Sequence, residues 1–162
     1  LLGLYEPQQG QITIGGTGAA EIPDSRKRRL FGYVEQSFQM IDGTVADQIT
    51  LTDPSVSREQ AIAAAKAAGL HESILALSEG YDTPAAKAAF SQGQFQLLSI
   101  ARAIAAEPKI LLLDEITANL DSETENRILD ALERAAAGRT VLSISHRLQE
   151  RTRSQRTIEI TG

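Results

Sequence analysis

The chain has 162 residues, 42% of them hydrophobic and 23% charged, which is the balance of one globular domain able to bury a core. Sixteen Lys and Arg against 21 Asp and Glu leave a net charge of -5, which argues against a dedicated nucleic-acid binder, whose affinity rests on neutralising phosphates. The lack of Cys excludes disulfides and thiolate metal sites, and no apolar stretch approaches the roughly 20 residues that cross a bilayer, so membrane association would need a partner or segments outside this chain.

The first residues, Leu1-Leu2-Gly3-Leu4-Tyr5-Glu6-Pro7, begin without Met and already inside an apolar, helix-like pattern, which reads as a cut edge. Gln11 to Ile14 alternates polar and apolar as a half-buried strand does, closed by the turn cluster Gly15-Gly16-Thr17-Gly18. The basic run Arg26-Lys27-Arg28-Arg29 reads as a solvated loop face rather than a phosphate-binding patch. Leu30 to Val34 is a second short strand, and residues 36–53 are loop-rich, with Asp42-Gly43 as a turn.

Ser57-x-x-Gln60 is a capping box, which predicts a helix running to Ala68 and stopping near Gly69. A second helical piece spans Glu72 to Leu77. A third helix, Gln92 to Ala106, places Phe95, Leu98, Ala101 and Ala105 on one face and is ended by Pro108. Lys109 to Leu113 is apolar on both faces, as in a buried parallel strand. A fourth helix, capped by Ser122-x-x-Glu125, buries Ile128, Leu129, Leu132 and Ala136 and closes at Gly138. Thr140 to Ile144 is another buried strand, so residues 110–144 form a βαβ unit with a parallel sheet, and the helices of 57–106 sit between strands as an inserted helical subdomain.

Chemistry concentrates at two places. Asp114-Glu115 follows an apolar strand directly, at the carboxyl end where open α/β sheets bind ligands. Two carboxylates there are costly unless a cation or polar substrate meets them. In a P-loop ATPase the first would support Mg²⁺ and the second would act on the attacking water, the alternative being that both cap the next turn. Phe90-Ser91-Gln92-Gly93-Gln94 stands at a helix start, where free N–H groups, a hydroxyl and the helix dipole favour an anion, although Ser is also an ordinary N-cap with no ligand.

Taken together these segments resemble the ATP-binding cassette family over essentially the whole chain. Phe90 to Gln94 is similar to the signature Leu-Ser-Gly-Gly-Gln, continued by Ser99-Ile100-Ala101-Arg102-Ala103. Asp114-Glu115 falls where the magnesium aspartate and catalytic glutamate belong, and Ala118-Asn119-Leu120-Asp121 resembles the D-loop. Ser143-Ile144-Ser145-His146-Arg147 resembles the strand and switch histidine, and Gly32-Tyr33-Val34-Glu35-Gln36 resembles the approach to the Q-loop, with Gln36 sensing Mg²⁺ and water. Ile41 to Ile49 and Glu79 to Thr83 are similar to exporter-type cassettes.

The resemblance implies an α/β P-loop NTPase (RecA-like) core with a parallel sheet, residues 1–38 and 109–162, and an inserted helical signature subdomain, residues 39–108. It implies ATP and Mg²⁺ as ligands, with Glu115, His146 and Gln36 as catalytic residues and Ser91, Gln92, Gly93, Gln94 and Asp121 binding nucleotide. Asp114 and Gln36 would hold the metal. It further implies a head-to-tail pair of such domains attached to an exporter's transmembrane domain, on the cytoplasmic side of the membrane, with no nucleic-acid partner.

Departures accompany the likeness. No Gly-x-x-x-x-Gly-Lys-Ser/Thr occurs in the chain, so the P-loop is expected just before residue 1 and these 162 residues alone are expected to be inactive. The Gly-Glu-x-Gly element expected of exporters is missing from Thr83 to Ser91. Phe95 occupies a place often held by a polar residue and has no chemical role assigned. The rival readings are a ribosome-acting cassette ATPase without transport and a noncatalytic interaction domain.

Overall fold

The computed structural model describes residues 7, 9–35, 37–114 and 121–144. The first elements are a two-residue hairpin, β1 (Thr13–Ile14) antiparallel to β2 (Thr17–Gly18). Thr17-Gly18 is thus the returning strand rather than part of the turn. The basic run lies in a helix, α1 (Asp24–Leu30), not a loop. Pro23 precedes it, Lys27 pairs with Asp24 at 2.7 Å, and Arg28 reaches Asp53 at 2.9 Å. Without a single buried residue, α1 has no apolar stripe for a sequence reading to detect.

The strand β3 (Phe31–Val34) follows at once, as expected. The segment read as loop contains α2 (Val45–Thr50), held by a capping box: the Thr44 hydroxyl accepts from the Asp47 N–H while the Asp47 carboxylate accepts from Thr44. Val45, Gln48 and Ile49 of α2 are buried. The helix α3 (Arg58–Ala67) starts on the predicted Ser57–Gln60 box, and α4 (His71–Leu75) follows it.

The helix α5 (Gln92–Ile104) is the spine of the molecule. Leu97, Leu98, Ile100, Ala101 and Ile104 are buried in it, and burial stabilises each large aliphatic side chain by about 1.5–3 kcal/mol. It packs against α2, α3, α6 and β3. The strand β4 (Ile110–Asp114) includes the aspartate itself, with Leu111, Leu112 and Leu113 buried.

The helix α6 (Ser122–Ala136) is capped by Asp121 rather than by Ser122. One Asp121 oxygen accepts from the N–H groups of Glu123 and Thr124, and Ser122 becomes the first helical residue. Ile128, Leu129 and Leu132 are buried as expected, joined by Ala131 and Ala135 where Ala136 had been placed.

The strand β5 (Thr140–Ile144) pairs in parallel with β4, which also pairs in parallel with β3, giving the order β3–β4–β5. The βαβ unit is therefore present, but β5 is not buried: Val141 is 37% and Leu142 46% exposed. It is the outer strand among the described residues, and its apolar run has a neighbour on one side only.

Candidate functional site

The register brings the ends of the three strands together. Val34 is paired with Leu113, and Asp114 with Ile144. Tyr33 lies in β3 and Glu35 just past its end, next to the residue level with Leu113. The Tyr33 hydroxyl donates to Asp114 Oδ2 at 3.3 Å. Loss of water around the phenol, then the negative charges of Asp114 and Glu35, raises the Tyr33 pKa. Glu35 Oε2 is a buried acceptor with no hydrogen-bond partner among the described residues. The carboxyl end of the sheet is therefore an electronegative corner with a buried oxygen to spare.

The start of α5 is built differently. Ser91 Oγ accepts from the Gln94 N–H at 3.3 Å, and Gln94 Oε1 accepts from the Ser91 N–H at 2.9 Å. The cap is neutral, and the first turn holds no acidic residue, so the helix dipole is left uncompensated there. Gly93 faces α6: a Cβ on it would lie 2.5 Å from Thr124 Cγ2. The glycine is required by this helix contact, a reason distinct from phosphate approach. Asp121 caps α6, whose first turn holds Thr124, and its hydrogen bonds to Thr124 and then to Glu123 hold its carboxyl below the usual aspartate range.

Contacts fix how the two places relate. A Cβ on Gly32 would collide with the Ala103 carbonyl oxygen, and the Glu35 N–H donates to Ser99 Oγ at 3.3 Å. Moving up β3 thus means moving back along α5, so the helix runs antiparallel to the strand. At 1.5 Å per residue, Ser91 lies roughly 12 Å beyond Ser99 along the helix, past the carboxyl edge of the sheet. Asp114 and the Ser91–Gln94 turn share one end of the molecule but form separate groups.

Among the sequence-predicted site residues, Asp114 stands at the sheet corner, and Ser91, Gln92, Gly93, Gln94 and Asp121 stand at the meeting of α5 and α6. Gln36, Glu115 and His146 lie outside the described residues. Among the described residues no three His, Cys, Asp or Glu side chains form a metal cluster. Tyr33, Glu35 and Thr124 were not singled out from the sequence. The end of β3 is the signal for the first two, while the contact of Thr124 with Gly93 has no local signal.

A family model for the ABC transporter matches residues 1–118. The toxin RTX-III translocation ATP-binding protein of Actinobacillus pleuropneumoniae is 42% identical over 146 residues, covering 89% of this chain and 20% of that protein. The mycobactin import ATP-binding/permease protein IrtA of Mycolicibacterium smegmatis is 40% identical over 159 residues, covering 98% of this chain and 18% of that protein. The structure of a bacterial Atm1-family ABC exporter with ATP bound matches with a TM-score of 0.73 and 36% identity, over 90% of this chain and 26% of that one. The chain thus spans about a fifth of the length of the curated relatives it matches.

Proposed function

The chain belongs to the ABC transporter family, and on that premise we propose that it is the part of an exporter-type ATPase domain that carries the signature helix and the magnesium aspartate, in a protein that couples ATP hydrolysis to transport across a membrane. The observation that carries the reading is the pairing of Asp114 at the carboxyl end of β4 with the uncompensated, Ser91-capped start of α5 at the same end of the fold.

The residues fit the ligands the family implies. Magnesium is held by one or two carboxylates, with waters and substrate phosphates completing its shell, so Asp114 needs no companion cluster. Such an ion would supply charge neutralisation to the phosphates of the nucleotide. Asp114 would hold that ion, with Tyr33 orienting its carboxylate. Glu115 would take the proton of the attacking water, and Gln36 and His146 would line the γ-phosphate.

Ser91, Gln92, Gly93 and Gln94 would offer N–H groups and a hydroxyl to a phosphate held by the opposite domain. The offset of roughly 12 Å between Ser91 and Ser99 along α5 supports that arrangement, because a helix end standing so far beyond the sheet suits a ligand held across an interface. Asp121 would join the two sites of the pair.

Among the described residues no helix is long and apolar enough to cross a membrane. The transmembrane part would therefore come from elsewhere in the protein or from a partner, with this domain on its cytoplasmic side. The test is Glu115→Gln in the whole protein, assayed by phosphate release and by ATP binding. Turnover should fall by at least about a hundredfold with ATP binding kept. Undiminished turnover would remove Glu115 from the general-base role.

A further inference from the structure

The outer half of α5, from Gln92 to Gln96, has left the sheet behind, and its fastening is unusual. The Phe95 ring stacks on Phe38 with centroids 5.5 Å apart and meets Phe90 edge-on at 5.8 Å. Phe38 lies in the segment that follows β3, and Phe90 immediately precedes the Ser91 cap. Phe38 also carries the Arg102 guanidinium, 4.0 Å from the ring centroid. Arg102 also donates to the Gln39 carbonyl at 2.8 Å and to the Gln48 carbonyl at 2.7 Å. Beyond the rings lies an open cleft of about 460 Å³, and Met40 on its rim is 47% exposed. The three rings are only partly buried and pack against the edge of the core, so beside the Gly93–Thr124 contact this end of the helix is held by a few aromatic faces.

We propose that Phe95 is a positioning residue: clasped between Phe90 and Phe38, it fastens the Ser91–Gly93 end of α5 to segment 37–40, so that the two move as one body. The consequence for catalysis rests on the function proposed above; the fastening itself does not. Flat rings set the geometry through stacked and edge-on contacts, which an aliphatic side chain of similar volume fills without reproducing. The Arg102 guanidinium over Phe38 adds a cation–π contact to the same ring. The bland alternative, a satellite apolar cluster that adds stability only, would accept Leu as readily as Phe.

The test uses the whole protein with Phe95→Leu, Phe95→Tyr, Phe38→Leu and the double Phe38→Leu/Phe95→Leu. Hydrogen–deuterium exchange of the 37–40 amides, with and without ATP, is read beside kcat and KM for ATP. Phe95→Leu should speed exchange at 37–40 about fivefold and lower kcat about fivefold with KM within about twofold. Phe95→Tyr should match the parent in both. The double variant should be no worse than Phe95→Leu, since the two rings form one contact. Parent-like exchange in Phe95→Leu, or effects of the two single changes that multiply, would overturn the proposal. If Phe95→Leu does not fold, Phe38→Leu with the same exchange readout at the 91–96 amides decides it in the same way. Accelerated exchange in a protein that hydrolyses no ATP would sink the proposed function and leave the fastening standing.

Discussion

Gly93 lies so close to Thr124 that a Cβ added to it would stand 2.5 Å from Cγ2, which ties the start of α5 to the start of α6. Turning the Thr124 side chain away would disturb the side-chain hydrogen bond that it shares with Asp121. Gly93→Ala should therefore destabilise the protein by about 1–3 kcal/mol through overpacking, measured by urea unfolding. Adding Thr124→Ser, which removes the offending methyl and keeps the hydroxyl, should restore most of that loss. If Thr124→Ser restores nothing, the glycine is needed for some reason other than this contact.

Gly32 has the same logic on the sheet side. A Cβ there would strike the Ala103 carbonyl oxygen and come within 2.8 Å of Pro108 Cγ. Backbone cannot rotate away as a side chain can, so Gly32→Ala should cost about 2 kcal/mol or more and lower Tm by several degrees in calorimetry. Gly138→Ala, at a helix end with nothing within 4 Å, should show no clash-driven loss, only the strain of its φ of 72°.

The cap on α6 predicts a pH dependence. The Asp121 carboxyl is held below the usual aspartate range by its bonds to Thr124 and Glu123. A depressed carboxylate contributes stability above its unfolded pKa, and that contribution is lost as pH falls through the lower folded value. Acid titration of Tm should therefore show a component below the ordinary aspartate range that disappears in Asp121→Asn. Asp121→Asn keeps a neutral acceptor and should remain close to the parent near neutral pH, whereas Asp121→Ala should not.

Tyr33→Phe removes the hydroxyl that donates to Asp114 Oδ2. One ordinary hydrogen bond is worth roughly 1 kcal/mol, or about a fivefold effect. The Mg²⁺ concentration giving half-maximal phosphate release should rise by that order in the whole protein, with Tm little changed. An unchanged Mg²⁺ requirement would show that the Tyr33 hydroxyl has no hold on the aspartate.

Much of this arrangement was legible in the residues themselves. The apolar run Ile110 to Leu113 predicted a buried parallel strand, and the Ser57–Gln60 box and the serine at position 91 predicted where two helices begin. What escaped has physical causes. The helix α1 has charge without an apolar stripe, and α2 is six residues long, with its Thr44–Asp47 box hidden in a loop-like context. The Ser122-x-x-Glu125 pattern predicts a cap at Ser122, but Asp121, one residue earlier, has the carboxylate in reach of two N–H groups. The strand β5 carries an apolar run much as β4 does, yet sequence composition does not tell a central strand from an outer one. Contacts across long separations, Gly93 on Thr124 and Phe95 on Phe38, exist only once the chain is folded.

The antiparallel run of α5 along β3 also makes the helix a lever. Its fulcrum is the tight seat of Gly32 under Ala103, and from Ala103 to Ser91 the arm measures roughly 18 Å at the rise of an α-helix. A tilt of about 5° at that seat swings the Ser91 tip by about 1.5 Å, a displacement large enough to make or break a hydrogen bond. Any such tilt would have to carry the start of α6 with it, because Gly93 rests on Thr124.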